Sequence, residues 1–258
     1  MTSVSHSRHA LVTGGARRIG RAICEALAAD GWTVGIHYRE SDADAEALRS
    51  GIAAAGCRAY TAAADLGDPD GPAALLAAAM AEAGPVTCLV NNASLFERDD
   101  IATVTPDGWE AHMAVNARAP MFLSQGMAAA LPDGVPGNIV NIVDQRALNL
   151  PPGFVSYTAS KAALWALTRQ LALALAPRIR VNAIGPGPTL PSPRQSEAQF
   201  AAQAARVPLG HGAGAEEIAD GVRYILSAGS MTGQMIALDG GQHLGWDTPD
   251  PGSPPVEE

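Results

Sequence analysis

A short apolar run, Ala10-Leu-Val-Thr13, passes straight into a glycine-bearing stretch, Thr13-Gly14-Gly15-Ala16-Arg17-Arg18-Ile19-Gly20. The Ala- and Leu-rich segment Arg21 to Asp30 follows, and Gly31 stops it. Strand, tight turn and helix in immediate succession allow few folds, because a parallel partner strand must be reached by a crossover over the sheet. The same alternation continues. Strands are predicted at 33–38, 58–61, 87–90, 138–143, 179–184 and 235–238. Helices are predicted at 42–55, 72–83, from Pro106 to about Leu131, from the Tyr157 region to about Ala176, near 197–205, and at 216–228. Short apolar strands separated by helices of this length predict an α/β chain with one doubly wound, seven-stranded parallel sheet and helices on both faces. Thr105-Pro106 reads as an N-cap with proline at the first helical position, and a bend is expected at Pro120.

A glycine turn between a first strand and a helix lets the backbone approach a pyrophosphate, which then lies over the helix N-terminus. The glycines fall at 14, 15 and 20, and Arg18 stands where a middle glycine is the usual choice. The second strand ends His37-Tyr38-Arg39-Glu40-Ser41. A 2′-hydroxyl is normally met there by an acidic residue, a 2′-phosphate by a cation. Arg39 and Arg17, with Ser41 adding a hydroxyl, favour the phosphate and therefore NADPH/NADP+. Thr13, Asp65, Asn91 and Ser94 lie at strand carboxyl ends, where open parallel sheets bind ligands. Turn capping explains each of them equally well when taken singly.

Tyr157-Thr-Ala-Ser-Lys161 places a phenol and an ammonium one turn apart on one helix face. Lys161 is the only lysine in a chain whose other basic side chains, histidine aside, are all Arg. A cation beside Tyr157 is expected to favour the phenolate and to suit the phenol to proton transfer near neutral pH. Asn116 is polar within an Ala-rich helix, and Asp144-Gln145-Arg146 ends the fifth strand.

A net charge of −9 with no basic run argues against nucleic acid. No apolar run reaches about 18 residues, so no membrane span is expected. Met1 to His9 has no apolar core of a signal peptide. Cys24, Cys57 and Cys88 are odd in number and far apart. This suits buried thiols in a reducing cytoplasm better than disulfides, and no metal-ligand cluster is seen.

From about residue 8 to 245 the chain resembles the short-chain dehydrogenases/reductases, a Rossmann-type family. The resemblance rests on the Thr13–Gly20 turn, Asp65, Asn91-Asn92-Ala93, Asn116, Tyr157-x-x-x-Lys161, Arg180-Val-Asn and Pro186-Gly187 in order. It implies that Tyr157 transfers the substrate proton. Lys161 would tune that phenol and hold the nicotinamide ribose, and Asn116 would support a water relay to Lys161. Gly14, Arg17, Arg18, Ile19, Gly20, His37, Tyr38, Arg39, Ser41, Asp65, Leu66, Asn92, Ala93, Ser94, Pro186 and Gly187 would line the cofactor. Two departures narrow the likeness: Arg18 replaces the middle glycine, and Asp144 replaces a Ser thirteen residues before the Tyr. With His37-Tyr38-Arg39, Ser41 and Asn92-Ala93-Ser94-Leu95-Phe96, these are similar to the pteridine reductases and the related dihydromonapterin and dihydrofolate reductases. That likeness implies a pterin-type substrate held by Arg18, Ser94, Phe96, Asp144 and Tyr157, with Phe96 stacked on the heterocycle. A carboxyl assists protonation of a ring nitrogen better than a hydroxyl does.

A carbonyl reductase acting on a 3-oxoacyl thioester or sugar ketone, and a non-catalytic NADP-binding sensor, remain the alternatives. One domain is expected over 1–247, with a substrate lid at about 185–214 and a disordered acidic, Pro-rich tail at 248–258. The resemblance further implies a homotetramer. His243 or Trp246 would then line a neighbouring subunit's pocket or pack in an interface.

Overall fold

The computed structural model describes residues 8–192 and 194–245. Its centre is a seven-stranded, all-parallel sheet in the order β3-β2-β1-β4-β5-β6-β7. The strands are β1 (His9–Val12), β2 (Thr33–Tyr38), β3 (Ala59–Ala63), β4 (Cys88–Asn91), β5 (Gly137–Ile142), β6 (Ile179–Pro186) and β7 (Met235–Leu238). The chain order reverses between β1 and β4, and the crevice above that reversal is where an open α/β sheet binds ligands.

Alternate side chains of each strand go to opposite faces. Ala10, Val12, Cys88, Val90, Val140 and Ile142 face one core, closed by α1 (Arg18–Ala29), α2 (Asp42–Ala54) and α8 (Ala215–Ser227). Leu11, Leu89, Ile139 and Val181 face the other, closed by α3 (Gly71–Ala83), α5 (Ala119–Ala130) and α6 (Val155–Leu175). A sheet covered on both faces needs near-continuous apolar strands, which is the pattern the sequence carries.

The long helix expected from Pro106 departs from that reading. α4 (Pro106–Met113) starts on Thr105, whose hydroxyl accepts from the Gly108 N–H at 3.2 Å. It gives way to a π-turn, Ala114–Arg118, before α5 begins. The irregularity precedes Pro120 by a turn. Proline lacks an N–H and crowds the carbonyl four residues back, so the backbone widens where that carbonyl sits. Asn116 lies on the widened turn.

Gly185 and Pro186, expected in the lid, are instead the last residues of β6, paired with Ala237 and Leu238. Beyond them the described residues up to 214 are irregular except for α7 (Glu197–Ala204), which opens on a Ser196–Gln199 capping box. A 3-10 turn at Gln242–Leu244 follows β7, with His243 Nδ1 2.8 Å from the buried Asp239 carboxylate. Trp246 and the tail at 248–258 lie outside the described residues. No described helix is long and apolar enough to cross a membrane.

Candidate active site

A cavity of about 1040 Å³ opens along the carboxyl ends of the strands. Its first wall is the glycine turn. Gly14 takes φ +60°, and a side-chain carbon at Gly20 would lie 2.1 Å from the Gly14 carbonyl oxygen, so α1 packs on the turn only through glycine. Arg18 has φ +54°, in the left-handed region, which explains why glycine is the usual occupant there. Its guanidinium leaves the turn and donates to the carbonyls of Pro191 (2.7 Å) and Leu190 (3.1 Å). The turn and the segment after β6 are thereby tied together.

Two side chains brace the turn from below. His37 Nδ1 accepts from the Gly14 N–H at 2.9 Å, so its proton sits on Nε2, which faces the Ala64 carbonyl at 3.2 Å. Burial pushes this imidazole down to about 4, against the opposing pull of the Ala64 carbonyl and the Asp65 charge. Asn92 Nδ2 donates to the carbonyls of Thr13 and Gly14, while Thr13 Oγ1 accepts from the N–H groups of Asn92 and Ala93. α1 itself starts without a side-chain cap. Its first N–H groups have no acceptor inside the helix, which suits an anion. Arg17, Arg39 and Ser41 line the same end of the cavity. Arg17 pairs loosely with Asp44 (3.6 Å) and Arg39 with Glu40 (3.1 Å); both arginines are more than half exposed and free to reorient. Ile19, Tyr38, Asp65, Leu66, Ala93, Ser94, Pro186 and Gly187 also line the cavity.

The other end is aromatic. Tyr157 donates to Asp144 Oδ2 at 2.8 Å. Phe96 lies edge-on to Tyr157, with ring centres 4.6 Å apart, and flat on Phe154 at 4.8 Å. The Arg146 guanidinium rests 5.1 to 5.9 Å from all three rings and 3.5 Å from the Asp144 carboxylate. Lys161 is buried and donates to the Ile142 carbonyl at 2.8 Å; its ammonium is 5.7 Å from the centre of the Tyr157 ring.

Electrostatics correct the expectation for Tyr157. The phenol is driven well above 10 by burial and by the Asp144 charge, with Arg146 and Ser94 opposing. Lys161 is pushed down to about 8 by burial, against Asp144. In this arrangement Tyr157 is a proton donor and not a ready phenolate. Asn116 does not line the cavity. It is fully buried behind the cavity wall, bonded both ways to the Leu95 backbone (2.8 and 2.9 Å) and to Ser160 Oγ (2.9 Å). It shapes the loop that carries Phe96. Asn91 bonds Asn141 inside the core and stays away from the cavity.

Sequence reasoning missed Arg146, Phe154 and Arg194. Arg194 pairs with Glu97 at 2.8 Å and stands 5.7 Å from the centre of the Phe96 ring. Only the position of Arg146, two residues past Asp144, carried a signal in the sequence.

The short chain dehydrogenase family model matches residues 8–201. A crystal structure of FolM alternative dihydrofolate reductase 1 from Brucella canis, complexed with NADP, is 50% identical, with TM-score 0.90, over 94% of this chain and 96% of that one. Pteridine reductase 1 of Leishmania tarentolae is 34% identical over 95% of this chain and 99% of its own length. The angucycline C-6 ketoreductase LanV, solved with bound NADP, is 33% identical, with TM-score 0.86, over 92% of this chain and 96% of that one. With its Tyr157–Lys161 pair at the mouth of a doubly wound sheet, this chain belongs to the short-chain dehydrogenase family of oxidoreductases.

Proposed function

We propose that the protein is an NADPH-dependent reductase of a pterin-type substrate such as a dihydropteridine, dihydromonapterin or dihydrofolate. The observation that carries this reading is the Tyr157–Asp144 hydrogen bond beside the Phe96 ring, whose centre lies 4.6 Å from that of Tyr157. The residues present fit the cofactor. The uncapped start of α1 suits its pyrophosphate, and Arg17, Arg39 and Ser41 suit a 2′-phosphate. NADPH, when bound, supplies the hydride.

The chain's own residues manage the proton and the ring. Reducing a pterin C=N bond adds hydride at carbon and a proton at nitrogen. Tyr157 holds that proton on Oη, and Asp144 shares it through the 2.8 Å bond. Lys161, fixed by the Ile142 carbonyl, supplies a positive charge below the phenol. An aromatic face at Phe96 suits a planar heterocycle. Similarity to the Brucella and Leishmania reductases supports the same substrate class.

Similarity to LanV supports a second reading, reduction of a ketone by the same Tyr157 and Lys161. One experiment separates the two. NADPH oxidation is followed with dihydrobiopterin, dihydromonapterin and dihydrofolate, and in parallel with a 3-oxoacyl thioester and a sugar ketone. Turnover of a pterin at far higher kcat/KM is the expected result. Turnover of ketones alone selects the second reading, and silence with every substrate at high enzyme concentration refutes both.

A further inference from the structure

Apart from glycines, the described residues with a left-handed backbone are two, Arg18 and Phe154 (φ +56°). Such a conformation costs about 1–3 kcal/mol and persists only where its surroundings impose it. At Phe154 the surroundings are a partly buried polar clamp. The Phe154 N–H donates to the Asp99 carbonyl at 2.7 Å. The Asp99 carboxylate accepts from the Ser156 N–H at 3.3 Å and from the Ser156 hydroxyl. His112 Nδ1 lies 2.8 Å from the Ser156 oxygen and 2.9 Å from the Gly108 carbonyl. His112 Nε2 accepts from the Glu97 N–H at 3.1 Å. That last bond assigns the proton to Nδ1, so the chain of donors runs from His112 through Ser156 to Asp99. Ser156 is fully buried and His112 nearly so.

This clamp joins two segments that are far apart in sequence. One is the loop after β4, which carries Phe96; the other is the start of α6, which carries Tyr157. The product of the join is the Phe96–Phe154 stack, with rings 4.8 Å apart and 2° from parallel. Phe96 lines the cavity and Phe154 backs it.

We propose that Asp99 and Phe154 are positioning residues for substrate: the clamp forces Phe154 into its strained backbone so that its ring holds Phe96 flat toward a planar heterocycle. The inference rests on the pterin reading of the same site. It accounts for the strain, for a carboxylate spent on a helix start, and for a stacked ring that does not itself line the cavity.

The test compares Phe154→Leu, Phe154→Tyr and Asp99→Ala. Binding of an oxidised pterin is read from quenching of the pterin's own fluorescence, and NADPH binding from the fluorescence of NADPH. KM for the substrate is measured where turnover exists. Losing an aromatic pair is expected to weaken pterin binding by about threefold to tenfold in Phe154→Leu. Asp99→Ala is expected to weaken it as much, while Phe154→Tyr keeps it and all three keep NADPH binding within about twofold. Pterin binding unchanged in Phe154→Leu and Asp99→Ala overturns the proposal. So does an equal loss of pterin and NADPH binding, which marks a general fold defect. Wild-type protein that binds no pterin at all instead refutes the underlying reading, and the two failures are thereby told apart.

Discussion

Replacing His37 with Asn should remove a large part of the protein's acid sensitivity. His37 is 2% exposed and bonded through both ring nitrogens to backbone, Nδ1 to the Gly14 N–H and Nε2 to the Ala64 carbonyl. Its pKa falls from 6.5 to about 4 on folding, chiefly through burial. The unfolded chain therefore binds this proton first. The stability contributed by neutral His37 is complete above pH 6.5 and is lost as pH falls through about 4. The full gap is worth about 3.4 kcal/mol, of which about 2 kcal/mol is lost between about pH 7.5 and pH 5. Asn offers an acceptor near the place of Nδ1 and does not titrate. Urea unfolding of both proteins at the two pH values measures the difference. The wild type should lose about 2 kcal/mol more than His37→Asn on acidification. Equal losses would refute the reasoning, because acid unfolding would then come from other groups. Only as pH falls through about 4 does the same proton remove the acceptor for Gly14 in the folded protein, so NADPH affinity should fall there more steeply in the wild type than in the variant.

Three further outcomes follow from the geometry. Tyr157→Phe removes the hydroxyl that bonds Asp144 and should lower kcat by about 10²–10⁴-fold while leaving NADPH binding nearly unchanged; stopped-flow turnover and NADPH fluorescence check the two halves. Arg39→Ala should shrink the preference for NADPH over NADH about tenfold or more, read as the ratio of kcat/KM values. Gly20→Ala sets a carbon 2.1 Å from the Gly14 carbonyl oxygen, a backbone atom that cannot swing aside. It should destabilise the fold by about 1–3 kcal/mol, measured by urea unfolding, and weaken NADPH binding.

The sheet was legible in the sequence because its determinants are local. Apolar runs such as Leu89-Val90 and Ile139-Val140, stopped by Gly, Pro and Asn, identify strands buried on both faces without knowledge of their neighbours. The glycine turn is local too, since the backbone angle at Gly14 depends on its own residue. The break in the long helix was misplaced because the sequence shows Pro120 but not the carbonyl upstream that must yield to it. The Tyr157 pKa was misread for a related reason. Sequence spacing shows Lys161 one turn away, but the depth of burial and the Asp144 oxygen 2.8 Å from the phenol exist only once β5 and α6 are packed together.

By itself, then, the sequence determined the parallel sheet, the turn that opens α1 and the Tyr157–Lys161 pair, each encoded over a few neighbouring residues. Tertiary structure alone decided that Arg146 lies across three rings, that Arg18 ties down the segment after β6, and that Asp99 and His112 lock Phe154 onto Phe96. These contacts join residues far apart in the chain. Their energies depend on distance, burial and ring orientation, quantities that no local pattern of residues specifies.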